Sequence, residues 1–377
     1  MHVLIPVLHR PTHPTGVCRH AANLAQGLSE RAEVSQVTLV TGNWQADYFE
    51  TEFGLRSPKI TVLRIAIANR AIARNRWYLL DLPRLANQLQ ADVVHLAFPI
   101  PLIRRWFNAP VVATIHDLYP YECPENFGFP KVLFNRWFLD WCVNRCDGLC
   151  CVSQGTLEGL KHYFPSIHQH KPTAVIYNCV DLSTIAPQIP CALPFGAETP
   201  FILCVAQHRK NKNLDLLIQS FANLLQDGSL SPATYLCLVG SAGPETETLL
   251  NLTISLGIRD QVVLLSGLQD GELRWLYEHC LLFAIASATE GFCLPLVEAL
   301  SLGCRVVCSD IPIFREVGSS ACHYFTLGDQ AVPNLVGAIK SAIAQPQPDS
   351  TTIDSRFSKS YVTEQYLKFY RCVGVTT

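Results

Sequence analysis

The chain has 377 residues, 49% of them apolar and 16% charged, with a formal net charge of −2. That length suits two well-filled domains of about 150 residues each. The near-zero charge excludes a broad electrostatic pull on nucleic acid, and no apolar run approaches the ~20 residues needed to span a bilayer.

Met1–Leu8 is short, carries His2 and runs into Pro-rich polar sequence, so no signal peptide is expected. Sixteen cysteines are present, none in paired C-x-x-C spacing. They read as small buried hydrophobes of a reduced, cytoplasmic protein, with no metal site. Cys142, Cys146 and Cys150 recur every four residues and on a helix would share one face.

In chain order, residues 2–8 read as the first strand. The loop 9–15 follows, and Gly16 then opens a helix with Val17, Ala21, Leu24 and Leu28 on one face. A glycine at a helix start is a place where backbone can approach a phosphate or an acceptor. Arg19 and His20, on the same helix, read as surface residues. Residues 37–40 and 60–65 are the next strands. Arg70, Arg74 and Arg76 then cluster beside Trp77 and Tyr78. This cluster fits either a phosphorylated, lipid-linked acceptor or a solvated helix face. Further strands are expected at 92–96 and 111–115, the latter ending in His116 and Asp117. Ligands of open parallel sheets sit at the carboxyl ends of strands, where a histidine can bond sugar hydroxyls or a developing charge.

The spacing predicts a helix over 131–146 with Phe134, Trp137, Phe138 and Trp141 in one apolar stripe. Such a stripe is expected to face the core. Its neighbours Lys131, Arg136 and Arg145 leave open a peripheral contact with the inner face of a membrane. A strand at 148–152 and a helix capped by Ser153 follow. The run 182–200 is Pro-rich and reads as a linker. The second domain opens with a strand at 201–205. A basic loop containing Arg209 and Lys212 then leads to a helix buried through Leu214, Leu217, Ile218 and Phe221. Strands at 236–239 and 262–265 come next, the second followed by Gly267 and Leu268.

The most informative stretch is 283–310. A buried strand leads into the turn 287–291, then a helix with Pro295 near its start and Gly303 at its end, then a second strand. The helix N-terminus presents unpaired N–H groups and favours phosphate. Glu290 lies in the loop and Glu298 about one turn into the helix. A diphosphate held there would place a sugar toward one acid and a ribose toward the other, and carboxylates suit hydroxyls because each accepts two hydrogen bonds.

The stretch EGFCLPLVEAL, with its Glu-seven residues-Glu spacing, resembles the signature of retaining nucleotide-sugar glycosyltransferases of the GT-B fold, family 4 (group 1). The elements TIHDL, CVSQGTLEGL, VIYNCVD and IFREV are similar to that family as well. The resemblance covers nearly the whole chain. It implies an α/β GT-B architecture, two Rossmann-like parallel-sheet domains facing across a cleft. Residues 1–185 would be the acceptor domain and 186–199 the linker. Residues 200–357 would be the donor domain, with a C-terminal helix at about 358–377 packing back on the first.

It also implies roles. Glu290, His116 and Lys212 would be catalytic. Gly16, Arg209, Gly267, Leu268, Phe292, Cys293, Leu294 and Glu298 would bind the donor, with backbone near Gly267 meeting the base. Asp117, Arg74 and Arg76 would meet the acceptor. Four positions depart from the family pattern: Cys293 and Cys179 replace glycines, and Ala206-Gln207 stand where Gly-Arg is usual. The implied reaction transfers a hexose, with retention and without metal or cofactor, from a UDP- or GDP-linked sugar to a saccharide or lipid-linked acceptor. Surface polysaccharide or glycolipid synthesis is the expected setting. The alternative is a non-catalytic sugar-nucleotide-binding or scaffold protein.

Overall fold

A computed structural model describes residues 1–12, 14–124, 127–180, 182, 185–346 and 354–375. Asp181 of the VIYNCVD element and Thr376 and Thr377 of the expected C-terminal helix lie outside the described residues. The chain forms two compact units, Met1–Cys179 with Ser355–Thr377, and Val180–Asp354.

The first unit holds seven parallel strands: β1 (His2–Pro6), β2 (Gln36–Gly42), β3 (Ile60–Ile65), β4 (Val93–Leu96), β5 (Val111–Ile115), β6 (Gly148–Cys151) and β7 (Thr173–Val175). Their order is β3-β2-β1-β4-β5-β6-β7. The central strands β1, β4, β5 and β6 are buried at every position. Continuous Val, Ile, Leu and Cys runs are what a parallel sheet covered on both faces requires.

The C-terminal helix Lys359–Cys372 packs on the helix Gly16–Ser29. It buries Val362, Tyr366, Leu367, Phe369 and Tyr370, each worth about 1.5–3 kcal/mol relative to exposure. The approach is close: a Cβ on Gly27 would collide with Thr363 Oγ1.

The second unit holds six parallel strands: β8 (Phe201–Val205), β9 (Tyr235–Val239), β10 (Val262–Leu265), β11 (Leu282–Ile285), β12 (Val306–Ser309) and β13 (Cys322–Phe325), ordered β10-β9-β8-β11-β12-β13. The helix Leu214–Gln226 buries Leu214, Leu217, Ile218, Phe221 and Leu224 along one stripe. The expected linker 186–199 lies within this unit. Gln188 N–H donates to Gly271 O at 2.9 Å, and Arg274 Nη1 donates to Ile185 O at 2.5 Å.

One expected surface turns the other way. The helix Lys131–Arg145 buries Leu139, Cys142 and Val143, while Phe134 is 57% and Trp137 51% exposed. Phe134 and Trp137 therefore face solvent and not the core, while Phe138 and Trp141 are half-buried, with Trp141 Nε1 donating to Leu102 O at 2.6 Å. The three cysteines at four-residue spacing, Cys142, Cys146 and Cys150, are buried.

Candidate active site

In the second sheet the chain runs outward from β8 to β9 and β10, then returns to place β11 against β8. That reversal is where open parallel sheets gather ligands. The loops leaving the carboxyl ends of β8 and β11 meet there and are clamped by asparagines. Asn213 Nδ2 donates to Ala286 O at 2.9 Å, Asn211 Nδ2 to Thr289 O at 3.3 Å, and Ala288 N–H to Asn211 O at 2.8 Å.

The clamp fixes one ion pair. Lys212 Nζ lies 2.6 Å from Glu290 Oε1, with side chains only 14% and 8% exposed. Ser287 Oγ donates to the same carboxylate oxygen at 2.8 Å, and Ser309 Oγ holds Ser287 O at 2.5 Å. An ammonium has three donors, and Lys212 has no second partner among the described residues. It can therefore meet an anion without leaving Glu290.

Beyond Glu290 comes the helix Leu294–Ser301 with Pro295 in its first turn. Cys293, its N-cap, sits at φ +73°, ψ +76°, in the left-handed region where a glycine is most at ease. The backbone turn thus survives the glycine-to-cysteine departure, at about 1–2 kcal/mol of strain. Burial, together with the charge of Glu290, holds the Cys293 thiol protonated. Phe292 is buried, so its ring packs inward.

Glu298 lies one turn into the helix as expected. It is only 4% exposed, and Tyr277 Oη donates to its Oε2 at 2.9 Å. Tyr277 has no sequence signal linking it to Glu298; it lies on the helix Asp270–His279 and reaches across. Gly267 takes φ +69°, with Leu268 after it, beyond β10. Arg209 is partly buried, and its guanidinium has no polar partner among the described residues. Its neighbour His208, which sequence reasoning passed over, is 2% exposed, with Nδ1 2.9 Å from Thr246 Oγ1.

In the first sheet the reversal falls between β1 and β4. His116, just after β5, places Nε2 2.8 Å from Ala97 O at the end of β4. A carbonyl only accepts, so Nε2 carries the proton and Nδ1 is the accepting nitrogen. Burial lowers the His116 pKa to about 4. The ring is neutral near pH 7 and can accept a hydroxyl hydrogen bond, but it cannot supply a positive charge.

His20 is not a surface residue. It is 4% exposed, its ring stands edge-on to His116 at 4.9 Å, and its Nε2 has no partner among the described residues. His95 lies deeper, with Nδ1 2.6 Å from Tyr370 Oη and Nε2 2.8 Å from Thr114 Oγ1.

Gly16 opens its helix, exposed, behind the N-cap Thr15. Asp117 accepts from Tyr119 N–H at 3.1 Å and so braces its own loop. Arg74 and Arg76 lie on the helix Ala71–Arg76 in the crossover from β3 to β4, while Asp117 follows β5. Among the described residues, no cluster of His, Cys, Asp and Glu is arranged to hold a metal ion.

Two family models match the chain: "Glycosyltransferase Family 4" over residues 14–184 and "Glycosyl transferases group 1" over 188–354. The chain belongs to the group 1, family 4 glycosyltransferases. Within that family it is similar to the O-antigen chain mannosyltransferase RfbU of Salmonella typhimurium, 26% identical over 84% of this chain and 84% of the relative. It is 32% identical, over 47% of its own length and 45% of the relative, to the N-acetylgalactosamine-N,N'-diacetylbacillosaminyl-diphospho-undecaprenol 4-alpha-N-acetylgalactosaminyltransferase of Campylobacter jejuni. Among solved structures it is similar to sucrose-phosphate synthase from Thermosynechococcus elongatus, with a TM-score of 0.73 at 16% identity and 98% of each chain covered. The lipopolysaccharide glycosyltransferase WaaG gives a TM-score of 0.65 at 16% identity over 98% of this chain and 97% of the other. The structural likenesses establish the GT-B fold of the glycosyltransferase.

Proposed function

We propose that this glycosyltransferase moves a hexose, with retention, from a nucleoside-diphosphate sugar to a saccharide or lipid-linked acceptor during surface-polysaccharide or glycolipid synthesis. The buried Lys212–Glu290 pair at the reversal of the second sheet carries the reading. Lys212 and the N–H groups opening the helix Leu294–Ser301 would take the negative charge that grows on the departing diphosphate, with Arg209 as a further cation. These groups stand in for a divalent ion, so the reaction is proposed to need no metal.

Glu290, held by Lys212 and Ser287, would orient sugar hydroxyls, and Glu298 the ribose. Neutral His116 would accept from a donor-sugar hydroxyl through Nδ1. The acceptor would enter on the face the nucleotide leaves, with donor phosphate helping to remove its proton. Mannose is the first sugar to test, given the name of RfbU.

A panel of UDP-, GDP- and ADP-sugars should give one strong thermal shift. A ligand at 100 times its Kd adds about 2.7 kcal/mol of stability. NMR of the product should show the donor's anomeric configuration. An inverted product ends the retaining assignment.

The same reading places the enzyme at the cytoplasmic face of a membrane as a peripheral protein. Phe129, Leu133, Phe134 and Trp137 are 82%, 51%, 57% and 51% exposed beside Lys131 and Arg145. Aromatic and basic side chains together suit an anionic interface. The double variant Phe134→Ser/Trp137→Ser should bind phosphatidylglycerol vesicles at least tenfold more weakly. Unchanged co-sedimentation would remove the membrane from the proposal.

A further inference from the structure

The arginines after β3 are not alike. Arg64, within β3, is neutralised by Glu50 at 2.5 Å and Asp47 at 3.8 Å, and Arg84 sits 3.7 Å from Asp81. Between them Arg70, Arg74 and Arg76 have no carboxylate partner among the described residues, and neither has Arg10 in the loop after β1. A chain with 31 acidic residues against 29 Lys and Arg leaves these four cations unmatched.

Asn69 draws two of them together. Its Nδ2 donates to Arg10 O at 2.9 Å, and its Oδ1 accepts from Arg74 Nη1. One side-chain amide thereby ties the β1 loop to the Arg74 guanidinium. Arg74 is partly buried, and its cation is disfavoured first by that burial and further by the charge of Arg10. Both loops lie at carboxyl ends of strands, the ligand side of the sheet. A half-desolvated arginine beside a second arginine, with no acid to balance them, calls for an anion of more than one charge. Two guanidinium forks match the oxygens of a diphosphate in bidentate fashion.

We propose that Arg10 and Arg74, set by Asn69, form a subsite for the diphosphate of a polyprenyl-diphosphate-linked sugar acceptor. The proposal deepens the acceptor assignment above and rests on it.

The test compares one acceptor sugar carried on a polyprenyl diphosphate with the same sugar on a neutral alkyl chain, both in neutral detergent. In Arg10→Gln/Arg74→Gln the ratio of kcat/KM for the diphosphate acceptor over the neutral one should fall at least tenfold. In Arg84→Gln, which also loses one positive charge, the ratio should stay within twofold. A ratio unchanged in the double variant overturns the proposal, as does an equal fall in Arg84→Gln.

Phosphatidylglycerol vesicles separate the other source of phosphate. If the double variant loses vesicle binding while its acceptor ratio holds, the arginines read lipid headgroups and the proposal is overturned. If the wild type glycosylates neither acceptor, the transferase reading has failed on its own account. The subsite is then judged by farnesyl diphosphate against farnesol, with UDP and GDP in excess. Diphosphate binding at least tenfold weaker in the double variant upholds it, and equal binding overturns it.

Discussion

Lys212→Ala is expected to lower kcat/KM for the nucleotide sugar by about 10²–10³, the scale seen when one preorganised donor to a developing anion is removed. It should also destabilise the second unit. Glu290 is 8% exposed, and stripping the partner from a buried charge costs roughly 3–5 kcal/mol. The two effects separate in Lys212→Ala/Glu290→Gln. The neutral amide still accepts from Ser287, so most of the urea midpoint should return, whereas transfer should not. Were the single variant to keep a tenth of wild-type kcat/KM while folding normally, Lys212 would be a structural cation and the departing diphosphate would be handled elsewhere.

Mild acid should destabilise the first unit through three buried histidines. Burial lowers the pKa of His95 to about 3 and of His116 to about 4, and holds His20 well below its usual value. All three therefore fold neutral. In the unfolded chain each regains a pKa near 6.5 and takes a proton as pH drops. The folding energy is full above about pH 6.5 and drains as pH falls toward about 4 and then about 3. Between pH 7.5 and 4.5 His95 and His116 should each remove roughly 2–3 kcal/mol at about 1.4 kcal/mol per pH unit, with His20 acting in the same direction, against a total of about 5–15 kcal/mol for a domain. Paired surface acids such as Glu50, whose pKa is lowered by Arg64, contribute only at lower pH. Urea midpoints from pH 7.5 to 4.5 should fall steeply in the wild type and less steeply in His116→Asn. A flat profile would mean that these rings are already protonated in the native state.

Strand positions were readable because most strands are short, mainly apolar runs, and β3, β5, β8 and β10 lie where that pattern places them. The edge strand β13, Cys-His-Tyr-Phe, was missed because it carries a histidine and a tyrosine that are half-exposed and has no run to find. The Lys212 and Glu290 loops were legible as separate motifs. What joins them was not, since the asparagine clamp pairs residues more than seventy positions apart. Tyr277 on Glu298 and His20 on His116 escaped for the same reason. Helical periodicity also tells which residues share a face but not what covers it, so Phe134 and Trp137 of Lys131–Arg145, expected in the core, stand exposed. Cys293 shows the opposite case. The residue departs from glycine, yet it takes the left-handed backbone that suits glycine.

The first unit is built from both ends of the chain, and this orders its birth on the ribosome. Small domains usually close in the order they are made. Here the sheet of residues 1–179 lacks Tyr366 and Tyr370, which fill its core, until the segment from Ser355 emerges. The second unit, 180–354, is continuous and can close first. At about 5–20 residues per second its 175 residues (180 through 354) take about 9–35 s to make. Through that interval the nascent sheet carries an open apolar trough over Ala21, Leu24 and Leu28, which only the later helix Lys359–Cys372 seals.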